Sequence, residues 1–440
     1  MIKQIRHLLE NFVHEQQEES EPLEGNGAAA SPAFVKRTMR GMGFHQQSSP
    51  ICMIPLDEVG NEAVMIASDC LIQNGFPTAF AFGAARCCVD QDLTTFLAKA
   101  VSNKAAIDND NSNAVENVDN EEDESMMVES LALSKCVQNS IRAYCRSLLV
   151  EKNLNTFFDQ PFPKPPYEWT SHAVRNSRRK MEDRHVVLPN VAWLYPKVPK
   201  ADQTAAFAVY DGHGGQECAE YVRSHAFYYV FHSSAYPDDV CQALQNGFNE
   251  TDSRLLKYCK RESRQSGTTA VSAIIKDETV YVAWAGDSRA LIVQRNGVQK
   301  LTDPPHDTKN KIETKRVEEE GGLIFNFQGQ DRVNGLLNIT RSLGDLALKP
   351  TPLTADPEVT KVQLTGSDAC LVLASDGMFD GHDWDQVGQL VRDYLKTHGV
   401  EEYPDLARHL ADAACNKTSD NVTVIVVFLQ PMERLKEMFH

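Results

Sequence analysis

The stretch AFAVYDGHGG, residues 206–215, carries more information about this chain than any other. Five consecutive apolar residues predict a buried strand, and the glycines that follow allow the chain to turn sharply where the strand ends. The turn carries a carboxylate, Asp211, and an imidazole, His213. The pattern favours metal chemistry at the strand end, with an ordinary tight turn carrying surface polar side chains as the alternative.

Three more apolar segments have an aspartate at one end. They read AWAGD (283–287), CLVLASD (370–376) and DNVTVIVVFL (420–429), with Asp287, Asp376 and Asp420 at their ends. Clustered carboxylates repel one another, and a cation allows them to stay ionised together. Oxygen ligands favour magnesium or manganese over zinc, and the cysteines show no CxxC spacing. The sequence therefore predicts a site for hard divalent cations.

A charged segment upstream adds further groups. It reads RNSRRKMEDRH, residues 175–185, and contains Arg178, Glu182 and Asp183. The planar guanidinium of an arginine can bind a phosphate dianion through two hydrogen bonds. Taken alone, this run is more typical of a solvated mixed-charge surface.

Together the motifs resemble the metal-dependent serine/threonine protein phosphatases of type 2C. The matching stretches occur in the order of that family and span roughly residues 165–430: RRKMEDRH (178–185), VYDGHGG (209–215), SGTTA (266–270), AGDSRA (285–290), RVNGLLNITRSLGD (332–345), LASDGMFD (373–380) and SDNVTVIVV (419–427). Within the family, RNSRRKMEDRHV and VTVIVVFL look most similar to the calcium/calmodulin-dependent protein kinase phosphatases.

The resemblance implies a role for each matching residue. Asp211 would bridge two Mg²⁺ or Mn²⁺ ions, and Gly212 would offer its carbonyl to one of them. The other acids implied at the metals are Glu182, Asp376 and Asp420, with Asp183 beside them. Asp287 and Asp380 would join Asp376 at a weaker third ion. Arg178 would bind phosphate, and His213 would act as the general acid.

The implied reaction is hydrolysis of phosphoserine or phosphothreonine by a metal-activated water. A catalytically weak relative that binds phosphoproteins as a scaffold is the alternative, although such a relative is expected to have lost some of Asp211, Asp376 and Asp420. An aspartate-nucleophile phosphatase would need a DxDx[TV] strand end, which Asp211-Gly212-His213 does not provide.

Composition narrows the partners and the compartment. The net charge of −17 argues against a nucleic-acid partner, and the chain has no apolar run long enough to predict a membrane span. Eleven cysteines without a pattern predict a reducing compartment, the cytoplasm, with the nucleus as the alternative. The N-terminal segment has the pattern of an amphipathic helix rather than a signal peptide. The expected partners are phosphorylated proteins, which by resemblance include calmodulin-dependent or p21-activated kinases.

The charge and motif distribution divides the chain in two. Residues 1–160 contain 12 basic and 23 acidic residues and none of the motifs, and they predict a mainly helical accessory domain with a disordered acidic loop at 107–125. The stretch PFPKPP, 161–166, marks the boundary. Residues 161–440 predict an α+β domain, a central β-sandwich flanked by helices. Two hairpins are expected there, at 269–285 around residues 276–278 and at 290–301 around Asn296-Gly297.

Overall fold

The computed structural model describes residues 2–14, 53–108, 127–159, 165–195, 197–199, 202–349 and 352–439. The chain divides into two compact units, Met1–Phe162 and Pro163–His440. The division falls inside the proline-rich stretch at 161–166.

The first unit is mainly helical. Its described helices are α1 (Ile2–His14), α2 (Leu56–Gln73), α3 (Thr78–Asp108), α4 (Ser130–Leu148) and α5 (Glu151–Asp159), and strands β1 (Met53–Pro55) and β2 (Met127–Glu129) form a short antiparallel pair. Helix α4 buries Leu133, Val137, Ile141, Cys145 and Leu148. These residues recur every three or four positions, so one face of the helix contributes to the core of the unit.

The acidic loop predicted at 107–125 overlaps the end of α3. Ile107 and Asp108 are helical, whereas the rest of the predicted loop lies outside the described residues. The helical pattern of α3 therefore continues two residues into the stretch that composition alone assigned to a loop.

The second unit is built on two antiparallel five-stranded sheets. The first sheet has the order β11-β10-β16-β17-β3, and the second has the order β15-β9-β8-β5-β4. The strands of the first sheet are β3 (Glu168–Val174), β10 (Arg289–Gln294), β11 (Gly297–Lys300), β16 (Asp368–Ala374) and β17 (Val422–Phe428). Those of the second are β4 (Arg184–Leu188), β5 (Ala205–Tyr210), β8 (Ala270–Lys276), β9 (Thr279–Ala285) and β15 (Glu358–Gln363).

The central strands are buried on both faces. In β16, Leu371 and Leu373 pack in a core with Phe207 and Val271 of the opposite sheet, whereas Val372 packs against the helical side. Because side chains alternate across a strand, one continuous apolar run supplies both layers. Each buried Leu, Ile or Val contributes about 1.5–3 kcal/mol to stability. The predicted sandwich with helices outside it is confirmed.

Helices cover the sandwich. Their bounds are α6 (Glu217–His232), α7 (Val240–Arg261), α8 (Lys311–Glu319), α9 (Asp376–Phe379), α10 (Trp384–Thr397), α11 (Leu406–Cys415) and α12 (Met432–Phe439). Short 3₁₀ turns occupy Val191–Trp193, Leu346–Leu348 and Val400–Asp405. Among the described residues, no helix combines the length and the apolar character needed to cross a membrane.

The two predicted hairpins are present, with one shift in the turn. Strands β8 and β9 are joined by Asp277 and Glu278, both at positive φ (50° and 57°) as a two-residue turn of the I′ kind requires. Between β10 and β11 the turn is Arg295-Asn296, because Gly297 already pairs with Gln294. The prediction of Asn296-Gly297 as the turn was therefore one residue late.

Two small sheets complete the unit. Strands β6 (Gly212–His213), β7 (Gly267–Thr268) and β14 (Leu343–Gly344) form a three-stranded sheet in the order β14-β7-β6. Strands β12 (Ile324–Phe327) and β13 (Gln330–Val333) form a hairpin after α8. The three-stranded sheet contains His213, so it determines the setting of one of the predicted site residues.

Candidate metal and phosphate site

Four strand ends deliver the aspartates that the sequence singled out. Asp211 follows β5, Asp287 comes two residues after β9, Asp376 two residues after β16, and Asp420 two residues before β17. Strands β16 and β17 pair antiparallel with Ala374 opposite Val424, so the end of one lies beside the start of the other. The fold therefore places Asp376 and Asp420 at the same edge of the first sheet.

Electrostatic coupling shows that these carboxylates form one cluster. Burial raises the pKa of Asp211 well above its usual range, and the negative charges of Asp183, Asp376 and Asp287 raise it further. Burial likewise raises the pKa of Asp376 to about 6; a hydrogen bond shared with Asp211 opposes this rise, while Asp380 and Asp420 add to it. In an isolated protein such a cluster holds protons that a divalent cation would displace.

Asp287 belongs to the same cluster. Its pKa is also raised, first by burial and then by the charges of Asp376 and Asp307. Asp380 lies at the exposed end of α9, where its Oδ2 accepts a hydrogen bond of 2.6 Å from Thr418 Oγ1. The two acids implied at a third ion are thus both electrostatic neighbours of Asp376.

Asp183 is the most enclosed of the predicted acids, with 3 % of its surface exposed. Burial raises its pKa to about 6, against the lowering effect of hydrogen bonds from Thr423 and Ser375. The Thr423 Oγ1 donor lies 2.8 Å from Asp183 Oδ2. Asp183 therefore adds negative charge on the interior side of the cluster, and its oxygens accept hydrogen bonds from the hydroxyls of Thr423 and Ser375.

The segment that carries Arg178 and Glu182 is held in place by Asn421. The side-chain amide of Asn421 donates to the carbonyls of Arg175 (2.8 Å) and Lys180 (3.1 Å), and its Oδ1 accepts from the backbone N–H of Glu182 (2.8 Å). Sequence reasoning assigned no role to Asn421. A polar residue next to Asp420 at the start of a buried strand was the available signal.

Gly212 approaches this segment closely. A Cβ at residue 212 would lie 2.6 Å from the carbonyl oxygen of Glu182, which is too short for a normal contact. The absence of a side chain at Gly212 therefore lets the backbone of the Asp-Gly-His turn lie against the backbone before Asp183.

Arg178 is the cation of the cluster. Its guanidinium forms an ion pair with Asp420, and 56 % of its side chain is exposed. Burial opposes its charge, but the carboxylates of Asp420, Asp376 and Asp211 raise its pKa overall. One largely exposed guanidinium faces at least three carboxylates. The negative charge of the cluster therefore exceeds the positive charge, which favours binding of a divalent cation.

The donor set fits magnesium or manganese, because it consists of carboxylates and a backbone carbonyl. Within the described residues, the one group of three or more His, Cys, Asp or Glu side chains whose ligand atoms all lie within 4.8 Å of one another is His306, Glu313 and Glu358, and it includes none of the predicted site acids. There Glu313 already accepts hydrogen bonds from Arg341 and Arg316, so its charge is compensated. The wider aspartate cluster has one arginine for several carboxylates and is therefore the better candidate for a cation site.

Comparison with protein families gives the assignment. The model of the family described as protein phosphatase 2C matches residues 167–423, which is more than half of the chain. The chain belongs to the protein phosphatase 2C family. The predicted resemblance is confirmed, and all of the site residues named above lie within the matched region.

The relatives of this 2C-family chain include named phosphatases. It is 40 % identical over 267 residues to human protein phosphatase 1F, covering 60 % of this chain and 58 % of that protein. It is 34 % identical over 307 residues to mouse protein phosphatase 1E, covering 70 % of this chain and 40 % of that protein. The chain thus spans about half the length of these curated relatives.

A solved structure extends the similarity beyond the sandwich. The structure of a sex-determining protein of C. elegans matches with a TM-score of 0.71 at 26 % identity, over 88 % of this chain and 91 % of that one. The 2C-family architecture of this chain, including its predicted fold class, therefore agrees with a known experimental fold.

His213 has a partner that the sequence reasoning missed. Its Nε2 lies 2.9 Å from both carboxylate oxygens of Asp345. Asp345 is the last residue of the stretch RVNGLLNITRSLGD, so it lay within a matching motif but received no role. The two residues are 132 positions apart, and only the pairing of β6, β7 and β14 brings them together.

Replacing Arg178 by alanine is expected to separate phosphate binding from metal binding. We expect Arg178→Ala to raise the KM for a phosphopeptide and the inhibition constant of inorganic phosphate about ten-fold, since charge-assisted pairs contribute roughly 1.5–3 kcal/mol. Manganese affinity should stay the same or rise slightly, because Asp420 loses a competing cation. Steady-state kinetics and calorimetric Mn²⁺ titration measure the two quantities.

Arg179→Ala, at the exposed neighbouring residue, is the matched control and should leave both constants unchanged. Arg178→Lys should restore phosphate affinity only in part, because an ammonium cannot form the two-pronged contact. A collapse of manganese affinity with unchanged phosphate affinity would contradict the assigned role.

Proposed function

We propose that this chain is a protein serine/threonine phosphatase that hydrolyses phosphoserine and phosphothreonine with the help of divalent metal ions. The observation that carries the proposal is the cluster of coupled carboxylates around Asp211 and Asp376, which lies beside one exposed guanidinium. Membership in the protein phosphatase 2C family supports the same reaction.

The residues that would hold the ions are those that the family resemblance implies. They are Glu182, Asp211, the carbonyl of Gly212, Asp376 and Asp420 for two Mg²⁺ or Mn²⁺ ions, with Asp287 and Asp380 joining Asp376 at a weaker third ion. Asp183 supports the cluster from the interior through its charge. When bound, such ions neutralise phosphoryl charge and lower the pKa of a water molecule.

The chain itself supplies binding and proton transfer. Arg178, which is largely exposed and ion-paired with Asp420, would bind the equatorial oxygens of a phosphate group. His213 lies directly after the Asp211-Gly212 turn and supplies a proton to the departing seryl or threonyl oxygen. A cysteine nucleophile has no part in this scheme.

The substrates that we propose are phosphothreonine sites on protein kinases, calmodulin-dependent or p21-activated. This finer proposal rests on the similarity of the 175–186 and 422–429 stretches to the kinase-phosphatase branch. We also propose the cytoplasm as the compartment, with the nucleus as the alternative. The ten cysteines in the described part of the chain are free, which is consistent with reducing conditions.

A phosphopeptide assay tests the proposed function. The full chain should release phosphate from phosphothreonine peptides in the presence of Mn²⁺ and lose this activity when EDTA is added. Full activity in EDTA would contradict the role of the metal. Saturable binding of phosphopeptides without turnover at any Mn²⁺ concentration would instead support the scaffold alternative.

The ion-free protein should lose stability as the pH rises. Asp183 and Asp376 have folded-state pKa values of about 6, above the ordinary value of 3.8. Between about pH 4 and pH 6 the folded state therefore binds more protons than the unfolded state, and the free energy of unfolding falls. Divalent ions relieve this repulsion, so Mn²⁺ at pH 7 should raise Tm by roughly 5 °C or more.

Differential scanning calorimetry at pH 5 and pH 7 measures both effects, with NaCl at matched ionic strength as the control. The increase in Tm on adding Mn²⁺ should be smaller at pH 5, where protons compete for the carboxylates. An equal Tm with and without Mn²⁺ at pH 7 would contradict the assignment of the cluster as a metal site.

A further inference from the structure

The contact between His213 and Asp345 determines which nitrogen of the imidazole ring is left to interact with a substrate. Asp345 is 5 % exposed, and both of its oxygens lie 2.9 Å from Nε2 of His213. Carboxylate oxygens accept hydrogen bonds, and Nε2 is the ring nitrogen that donates to them. Nδ1 is the other ring nitrogen, and the described part of the chain provides no hydrogen-bond partner for it. The imidazole as a whole is 26 % exposed.

The three-stranded sheet makes this contact possible. His213 pairs with Gly267 of β7, and Gly267 pairs on its other side with Gly344 of β14. A Cβ at Gly267 would overlap the carboxylate of Asp345. Because Gly267 has no side chain, Asp345 can reach across β7 to the histidine.

Other groups fix Asp345 from behind. Ser342 Oγ donates a hydrogen bond to Asp345 Oδ2, and the backbone N–H of Asp345 donates to the Ser266 carbonyl at 3.1 Å. Asp345 has a left-handed backbone with φ of 53°. Such a conformation is unfavourable in a non-glycine residue and persists where the surroundings impose it.

A buried ion pair between Asp252 and Lys349 holds Gly344, the residue before Asp345. Asp252 Oδ1 accepts the backbone N–H of Gly344 at 2.8 Å, and Asp252 Oδ2 lies 2.6 Å from Lys349 Nζ. The same Lys349 ammonium donates to the Ser342 carbonyl at 3.0 Å. The loop from 342 to 349 is therefore anchored on both sides of Asp345.

We propose that Asp345 is the positioning residue for His213. It accepts a hydrogen bond from Nε2 and turns that nitrogen toward β14, so Nδ1 is the nitrogen that would carry a proton and transfer it to the departing oxygen. This inference rests on the proposed phosphatase function for its catalytic meaning, but the contact between Asp345 and Nε2 of His213 does not depend on that function. In the same way, a buried carboxylate in the Ser-His-Asp triad accepts a hydrogen bond from one ring nitrogen of a catalytic histidine and so orients the other nitrogen toward the reaction.

A double-mutant cycle tests whether Asp345 acts through His213. Asp345→Asn keeps the volume and tolerates the left-handed backbone. It should lower kcat on a phosphothreonine peptide by about ten-fold or more and change KM little, since general acid catalysis contributes about 10²–10⁴-fold. On p-nitrophenyl phosphate, whose departing oxygen needs no proton, the loss should be much smaller.

In a His213→Gln background, Asp345→Asn should cause no further loss on the peptide. An equal loss in both backgrounds would show that Asp345 supports the fold rather than the histidine, and would overturn the proposal. Asp368→Asn serves as the control. Asp368 is also buried, but it lies at the start of β16, whereas Asp376 follows the end of that strand. The kcat of the Asp368→Asn variant should equal that of the wild type.

A second measurement does not depend on catalysis. Nitrogen NMR of the ion-free full chain with labelled histidine reports which ring nitrogen carries a proton. The His213 signal is assigned by its loss in the His213→Gln variant. A protonated Nε2 supports the proposal, and a bare Nε2 contradicts it. If the wild type shows no metal-dependent hydrolysis, the proposed function fails while this result still decides the Asp345 contact.

Discussion

Replacing Asp376 by asparagine is expected to lower kcat on phosphothreonine peptides by about a thousand-fold or more while the protein remains folded. Asp376 shares a hydrogen bond with Asp211 and is affected by the charges of Asp380 and Asp420, and like Asp211 it is assigned to more than one ion. Asparagine keeps the shape of the side chain but removes the charge that a divalent cation requires. The loss should persist at saturating Mn²⁺.

The same substitution should not destabilise the ion-free protein. Removing one of several repelling carboxylates relieves the cluster, so at pH 7 without ions the Tm of Asp376→Asn should equal or exceed that of the wild type. Asp368→Asn, at the other end of β16, is the matched control and should retain wild-type turnover. Wild-type kcat for Asp376→Asn at saturating Mn²⁺ would show that the aspartate is not a ligand.

Replacing His213 by glutamine is expected to have an effect that depends on the leaving group. A seryl or threonyl oxygen is a poor leaving group and benefits from protonation, whereas nitrophenolate does not. His213→Gln should therefore slow phosphothreonine peptides by about a hundred-fold or more and p-nitrophenyl phosphate by only a few-fold. With a series of aryl phosphates, the rate of the His213→Gln variant should fall more steeply with increasing leaving-group pKa than the rate of the wild type.

His409→Gln, on α11 and far along the chain from the turn, is the control and should leave both rates unchanged. The alternative is a histidine whose only task is to fix the 211–215 turn by its hydrogen bond to Asp345. That role predicts similar losses on all substrates, so equal rate reductions across leaving groups would exclude the general-acid assignment.

The strand-end aspartates could be predicted because their signal is local. A run such as CLVLASD combines a buried strand with the acid at its end, and the antiparallel pairing of β16 with β17 then brings Asp376 near Asp420. The sandwich was predictable for the same reason, since uninterrupted apolar runs must be covered on both faces. The metal-binding roles stay predictions.

The missed features depend on contacts between distant segments. Asn421 reaches the segment 175–182, more than 230 positions earlier, and Asp345 reaches His213 through the pairing of three two-residue strands. Neither contact leaves a periodic pattern in the sequence. Helix α11 was also not predicted, because a ten-residue amphipathic segment is short for a periodicity argument.

A calorimetric titration of Mn²⁺ into the chelator-treated full chain tests whether the aspartate cluster binds metal ions. We expect saturable binding of two ions, with proton release at pH 6 that shows as a dependence of the heat on the buffer, because Asp376 and Asp183 have pKa values of about 6. A third, weaker binding event would fit Asp287 and Asp380. The absence of saturable binding at millimolar Mn²⁺ would contradict the claim that the aspartate cluster is a metal centre.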